Sequence, residues 1–278
     1  MSAFEAAWLL ADQWPVDESS VVVAHRGGVD THGDTSRVQR IASVSKPLSA
    51  WAVLVAVEEG SISLDDAVGQ TACTVRHLLA HAGGYPFDGA APVGKPATKR
   101  IYSNTGFDML AAHLEAATGM PFAQYLHEAV FEPLQMAASE LRGSCAKDVW
   151  SNAADLALFT AELRAPRLIS AGLRNHAVTP VFPELSGIVP GIGPFSPCPW
   201  GLGVEIRGHK HPHWTGERNS ASTFGHFGGI GTFLWVDPVA DVACVMLAER
   251  EFDEWGMEYW PTFNDAVLAC AERAGNAH

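Results

Sequence analysis

The 278-residue chain is short of basic residues: 18 against 31 acidic ones, a formal net charge of −13. A surface of that sign repels phosphate backbones, so nucleic acid is not expected as a partner. Charged residues are only 18% of the total, and no stretch is biased toward a few residue types, which excludes extended disorder. No apolar run reaches the length of a bilayer span, so no membrane insertion is expected. Cysteine is sparse and scattered: Cys73, Cys145, Cys198, Cys244 and Cys270 stand singly, an odd set without paired spacing. That excludes a disulfide framework or zinc knuckle and suits small buried thiols in a reducing compartment. There is no Gly-x-Ser-x-Gly elbow, which argues against an α/β-hydrolase, and no internal repeat. The N-terminal residues carry Glu5 and Asp12 but no basic cluster. They read as an amphipathic helix rather than a secretion leader, so the cytoplasm is the expected location.

What is present is a large apolar fraction, 47%, enough for one sizeable core or two lobes sharing a cleft. Residues 20–25 are β-branched and end at Gly27-Gly28, predicting a strand and hairpin. Helical spacing dominates from 46 to about 168, with predicted helices at 47–59, 74–81, 105–118, 122–130 and 152–162. Thr74 and Asn152 are placed to cap two of them, and Gly60 and Gly119 suit left-handed ends. Residues 179–199 are rich in Pro and Gly and read as a connector. Strands are expected at 201–206, 222–226, 231–236 and 241–248, then a closing helix at 259–274. Two strand groups flanking a helical block most simply form one sheet completed by both chain ends, with a second lobe between them.

Three short stretches carry chemistry. Ser43-Val44-Ser45-Lys46 puts a serine and a lysine three apart where a helix begins, so hydroxyl and amine share one face. A serine is a poor nucleophile until a base takes its proton, and a lysine kept neutral by burial can be that base. Tyr102-Ser103-Asn104 precedes the 105–118 helix. Its tyrosine could shuttle protons if Lys46 lowers its pKa, while Asn104 could hold the lysine and touch a substrate amide. His226-Phe227-Gly228-Gly229 lies where a strand enters a turn. Its glycines permit close substrate approach, the amides of Gly229 and Ser43 could form an oxyanion hole, and His226 could donate to a substrate oxygen or to Tyr102.

In this order, Ser-x-x-Lys, Tyr-x-Asn and His-x-Gly resemble the motif set of the penicillin-binding-protein and class C β-lactamase superfamily of serine hydrolases. The likeness extends to Glu59-Gly60-Ser61-Ile62-Ser63-Leu64-Asp65-Asp66, Thr74-Val75-Arg76-His77-Leu78-Leu79-Ala80-His81, Phe131-Glu132-Pro133-Leu134-Gln135-Met136 and Trp200-Gly201-Leu202-Gly203. It implies an α+β fold of the β-lactamase/transpeptidase type, an antiparallel sheet flanked by terminal helices plus an all-helical lobe. The sheet lobe would take residues 1–45 and 195–278, and the helical lobe 46–194. It also implies an acyl-enzyme on Ser43, with Lys46 and Tyr102 managing the proton. The substrate would be a small ester, amide or peptide, with no cofactor and no metal. An acyltransferase on the same scaffold and a catalytically silent peptide- or muropeptide-binding relative are the alternatives.

The third motif starts with His226 where β-lactamases of this superfamily usually have lysine. Histidine is mostly neutral at pH 7, so recognition of a penicillin-type carboxylate is weakened, and a D-alanyl-D-alanine-type peptidase or esterase is favoured over a β-lactamase. The span between the first two motifs looks trimmed, predicting a cleft that lacks a wall and admits bulky substrates. His209, His211 and His213 alternate but lack a carboxylate pattern, and read as a solvated loop. His77 and His81 read as helix packing and capping, and Trp235 as core. Trp200 and Trp214 could line the cleft or fill the core.

Overall fold

The computed structural model describes residues 3–275. After α1 (Glu5–Ala11) comes the hairpin β1 (Ser19–His25) and β2 (Gly28–His32), turning at the predicted glycines. Next, β3 (Gln39–Arg40) feeds a tight 3₁₀ turn (Ala42–Val44) and α2 (Ser45–Glu58). Helices α3 (Val75–Leu79), α4 (Asn104–Thr118) and α5 (Phe122–Leu126) follow, the last running on as a wide π turn over His127–Phe131. Then come β4 (Glu140–Leu141), β5 (Val149–Ser151), α6 (Ala153–Arg164), α7 (Ala171–Ala177) and the hairpin β6 (Gly187–Val189) and β7 (Gly193–Phe195). The chain closes with β8 (Glu205–Ile206), β9 (Phe224–Gly228), β10 (Thr232–Asp237), β11 (Val242–Ala248) and α8 (Glu254–Gly275).

The central sheet has six strands in the order β2-β1-β11-β10-β9-β8, every neighbour antiparallel. Both chain ends complete it, as the strand order predicted. The last two strands, β10 and β11, are continuous buried runs because each face has its own core. Phe233, Trp235, Cys244 and Met246 point into an aromatic core shared with the terminal helices α1 and α8. Leu234, Val236, Ala243 and Val245 point the other way, into the core of the helical lobe. Side chains alternate across a strand, so one residue of slip would exchange the two cores and is excluded.

Helix α2 is the spine of the helical lobe, buried without interruption from Ser45 to Ala56. Its polar residues must therefore find partners. Ser45 Oγ donates to the Ala42 carbonyl at 2.6 Å, and Ser49 Oγ to the Cys145 carbonyl at 2.7 Å.

Several elements differ from the sequence expectation. The predicted strand 201–206 survives only as β8; Gly203 instead adopts a left-handed φ of 86° and lies against Ala50, where a Cβ would sit 2.1 Å from that methyl. Thr74 does not cap α3; its hydroxyl pairs with His77 Nδ1 at 2.8 Å. Asn152 caps α6 as predicted, accepting the Asp155 N–H at 2.8 Å. Helix α8 starts earlier than expected, where Asp253 accepts the Trp255 N–H, and carries Pro261 inside it. The connector 179–199 contains the β6–β7 hairpin, and β3, β5 and β4 form a small sheet beside the helices. All five cysteines are free and buried. Among the described residues, no helix is long and apolar enough to cross a membrane.

Candidate active site

The turn that presents Ser43 is strained and tightly backed. Ala42 has a left-handed φ of 47°, a conformation that costs a non-glycine residue about 1 kcal/mol or more. It is held there by β9 and β10. Thr232 Oγ1 donates to the Ile41 carbonyl at 2.9 Å. A Cβ on Gly228 would come within 2.6 Å of that carbonyl oxygen and 3.2 Å of the Ala42 methyl. Gly228 is therefore a spacer that lets β9 touch the turn that presents Ser43. Gly229, next along, borders open space at the pocket mouth.

Lys46, in the first turn of α2, is fully buried. Its Nζ lies 3.4 Å from Ser43 Oγ, 2.7 Å from Asn104 Oδ1 and 3.0 Å from the Ala146 carbonyl oxygen, and 4.6 Å from the centre of the Tyr102 ring. Burial pulls its pKa down to about 7, only partly opposed by Asp108 and Asp88. Asn104 is occupied at both ends, since its Nδ2 donates to Asp88 Oδ1 at 3.2 Å. It lies behind the lysine, away from the pocket lining.

Tyr102 and His226 meet at 3.3 Å between the hydroxyl and Nε2. His226 Nδ1 lies 2.7 Å from the Phe227 carbonyl oxygen, which can only accept. Nδ1 therefore carries the ring hydrogen, Nε2 offers a lone pair, and the Tyr102 hydroxyl is the donor. The expected donation from His226 to Tyr102 runs the other way. Burial, and then the charge of Lys46, push the His226 pKa down to about 3, so the ring stays neutral. Nor does Lys46 lower the tyrosine. Burial raises the phenol well above its usual range, against a smaller pull from its hydrogen bond with Ser43. Tyr102 is a proton donor here, not a standing phenolate.

Ser43, Tyr102, His226 and Gly229 open onto a pocket of about 220 Å³. Its remaining walls are Phe87, Val189, Pro190, Gly191, Trp200, Phe227 and Phe252. Phe87, from the segment between the first two motifs, and the β6–β7 hairpin contribute to this lining.

Beside this geometry of a serine turn, a buried amine and a tyrosine–histidine pair stands what comparison with other proteins finds. The profile of the family described as Beta-lactamase matches residues 16–269. The chain belongs to the Beta-lactamase family. A crystal structure of a beta-lactamase from Mycobacterium bovis is 47% identical, covering 95% of this chain and 99% of that one with a TM-score of 0.94. Penicillin-binding protein 4* of Bacillus subtilis is 27% identical over 135 residues, 37% of this chain and 30% of that protein. Simvastatin synthase from Aspergillus terreus shares the fold, with a TM-score of 0.78, 15% identity, and 97% and 95% coverage of the two chains. The chain spans 30% to 59% of the length of the curated relatives it matches.

Some residues of the family site had no sequence signal. The Ala146 carbonyl that holds Lys46 is backbone, and Phe87, Val189 and Phe252 are ordinary apolar residues brought in by the fold. His81 did have one, at the end of its matching segment; it packs against Tyr102 with ring centres 4.5 Å apart. Trp200 lines the pocket, and Trp214 is core. The 209–213 stretch is not a solvated loop throughout. Lys210 and His213 are buried and reach Glu205 Oε1 at 2.6 and 3.1 Å, while Trp214 Nε1 donates to its other oxygen at 2.6 Å. Burial alone would raise Glu205, but Lys210 and His213 hold it far below the usual carboxylate range. His209, His211 and Pro212 face solvent.

Proposed function

We propose that the protein is a serine hydrolase that cleaves an ester or amide through an acyl-enzyme on Ser43. The observation that carries this is a fully buried amine, tuned to about 7, lying 3.4 Å from the serine oxygen. At neutral pH a substantial fraction of Lys46 is unprotonated, and its lone pair takes the Ser43 proton as Oγ attacks the carbonyl. The amides of Ser43 and Gly229 receive the negative charge on the carbonyl oxygen. Tyr102, protonated, turns its hydroxyl hydrogen from His226 Nε2 to the departing oxygen or nitrogen and gives it up there, and the Lys46 ammonium restores it. Water then attacks the acyl-enzyme by the same steps in reverse. His226 accepts from the Tyr102 hydroxyl and so fixes its position.

Beta-lactam hydrolysis is expected to be weak or absent, although the Mycobacterium bovis relative is called a beta-lactamase. A neutral His226 offers no cation to the carboxylate of a penicillin-type substrate. The reading is therefore an esterase or a D-alanyl-D-alanine-type peptidase.

The test is a panel of chromogenic esters, D-amino-acid amides and a cephalosporin, run beside Ser43→Ala. A fluorophosphonate should add one equivalent of mass to the native protein and none to Ser43→Ala. Equal ester turnover by the two proteins would remove the acyl-enzyme. No adduct and no turnover would leave a binding module.

A further inference from the structure

We infer that the apolar groove beside the catalytic pocket holds an uncharged hydrocarbon arm of an ester substrate. The inference rests on the hydrolase reading and names its substrate class. The groove has a volume of about 580 Å³ and shares Phe87, Tyr102 and Pro190 with the catalytic pocket, so the two adjoin across these three residues. Ile101, Ile188 and Phe195 also line it. Phe87 and Ile188 are 51% and 61% exposed, two large apolar side chains left facing water on the same feature. Contiguous exposed apolar surface beside a reactive centre is what a binding arm would cover.

The groove is built rather than incidental. Arg100 N–H donates to the Ser186 carbonyl at 2.8 Å, and a Cβ on Gly187 would lie 2.5 Å from Arg100 Cβ, so the hairpin is seated hard against residue 100. The Arg100 guanidinium cannot serve a ligand. It is occupied by the carbonyls of Cys198, Ala80, Val181 and Phe182.

Charge selects the same occupant. No Lys, Arg, Asp or Glu lines the catalytic pocket. Lys99 stands on the groove but is exposed, and an ion pair formed in water returns little against the cost of drying a carboxylate.

The experiment measures kcat/KM for p-nitrophenyl esters from acetyl to octanoyl, and for acetyl esters of alcohols of increasing length. Turnover by Ser43→Ala is subtracted throughout. On one of the two sides, kcat/KM should rise roughly two- to fourfold per methylene over the first few carbons, the gain for burying a CH₂. That side identifies whether the acyl or the alcohol chain occupies the groove. On the side that rises, a chain ending in a carboxylate should be at least about tenfold poorer than its uncharged counterpart, since it carries a charge into an apolar wall. Ile188→Asp, a change at an exposed position, should lower the long-to-short-chain ratio on that side about fivefold or more. Flat profiles on both sides or, on the side that rises, a carboxylate chain as good as its uncharged counterpart or an unchanged ratio in Ile188→Asp would overturn the inference. Ser43-dependent turnover of acetyl esters with flat profiles removes the groove and leaves the hydrolase. No ester turnover at all overturns both.

Discussion

His81 grips Tyr102 by both of its neighbours: its backbone carbonyl accepts the Ile101 N–H at 2.8 Å, and its ring Nδ1 accepts the Ser103 N–H at 3.1 Å. The ring lies on the tyrosine, and the residue itself holds a left-handed φ of 53°. Because Nδ1 accepts, the ring is neutral with its hydrogen on Nε2, consistent with burial keeping its pKa well below the usual value.

His81→Ala should therefore misplace the Tyr102 hydroxyl without emptying the substrate pocket. The expected result is a fall in kcat of about tenfold or more with KM little changed, since small displacements of a reacting group are costly. His81→Asn tolerates the left-handed backbone and keeps an acceptor, and should recover part of the loss. Steady-state kinetics on one ester decides the matter; a change confined to KM would contradict it.

The pH profile follows from Lys46. The amine is a base only without its proton, and its folded pKa is about 7. Activity should rise with pH and reach half its maximum near pH 7. His226, at about 3, contributes no inflection in that range. Lys46→Arg keeps its proton at all working pH values and should lose about 10²–10⁴ in rate. A limb centred near pH 10 in the native protein would show that Lys46 keeps an ordinary lysine pKa and is not lowered by its burial.

Tyr102→Phe removes the donor and leaves His226 Nε2 buried without a partner. Turnover should fall by about 10²–10⁴. Stability should drop by about 1–3 kcal/mol, the cost of an unsatisfied buried group, read from urea unfolding. Near-native turnover in this variant would remove the phenol from the proton path.

The Glu205–Lys210 pair is fully buried, so breaking it from one side should cost about 3–5 kcal/mol. Glu205→Gln and Lys210→Met are each expected to lower Tm strongly, and the double variant less than the sum of the two. The folded carboxyl is held below its unfolded value, so the stability it contributes is present at neutral pH and lost as pH falls through that lowered value. Additive losses in the double variant would mean that the two groups act independently.

Much of this was legible in the chain. Val21 to Val23 and the β10 and β11 runs announced buried strands, and the spacing of Leu48, Trp51, Ala52 and Val55 announced a core helix. Ser43, Lys46, Tyr102 and His226 were named from three short motifs, and the structure brings them together. What the sequence did not carry was direction and tuning. The hydrogen on His226 is placed by the Phe227 carbonyl, and the Lys46 pKa is set by complete burial. Neither has a local signature. Lys210 and His213 read as solvated because alternation with Pro212 and His211 suggests a loop, and only the fold reveals that a carboxylate from β8 lies between them. Phe87 and the hairpin wall were missed for the same reason, since apolar residues in Pro- and Gly-rich segments give no periodic cue.

Gly228 sets a limit on how this site can be altered. A directed-evolution library spanning positions 226–229 should return few residues besides histidine at 226, where the ring accepts from Tyr102, and nothing but glycine at 228. At that position even one added methyl would drive the sheet edge away from the strained backbone at Ala42 and carry Ser43 away from Lys46.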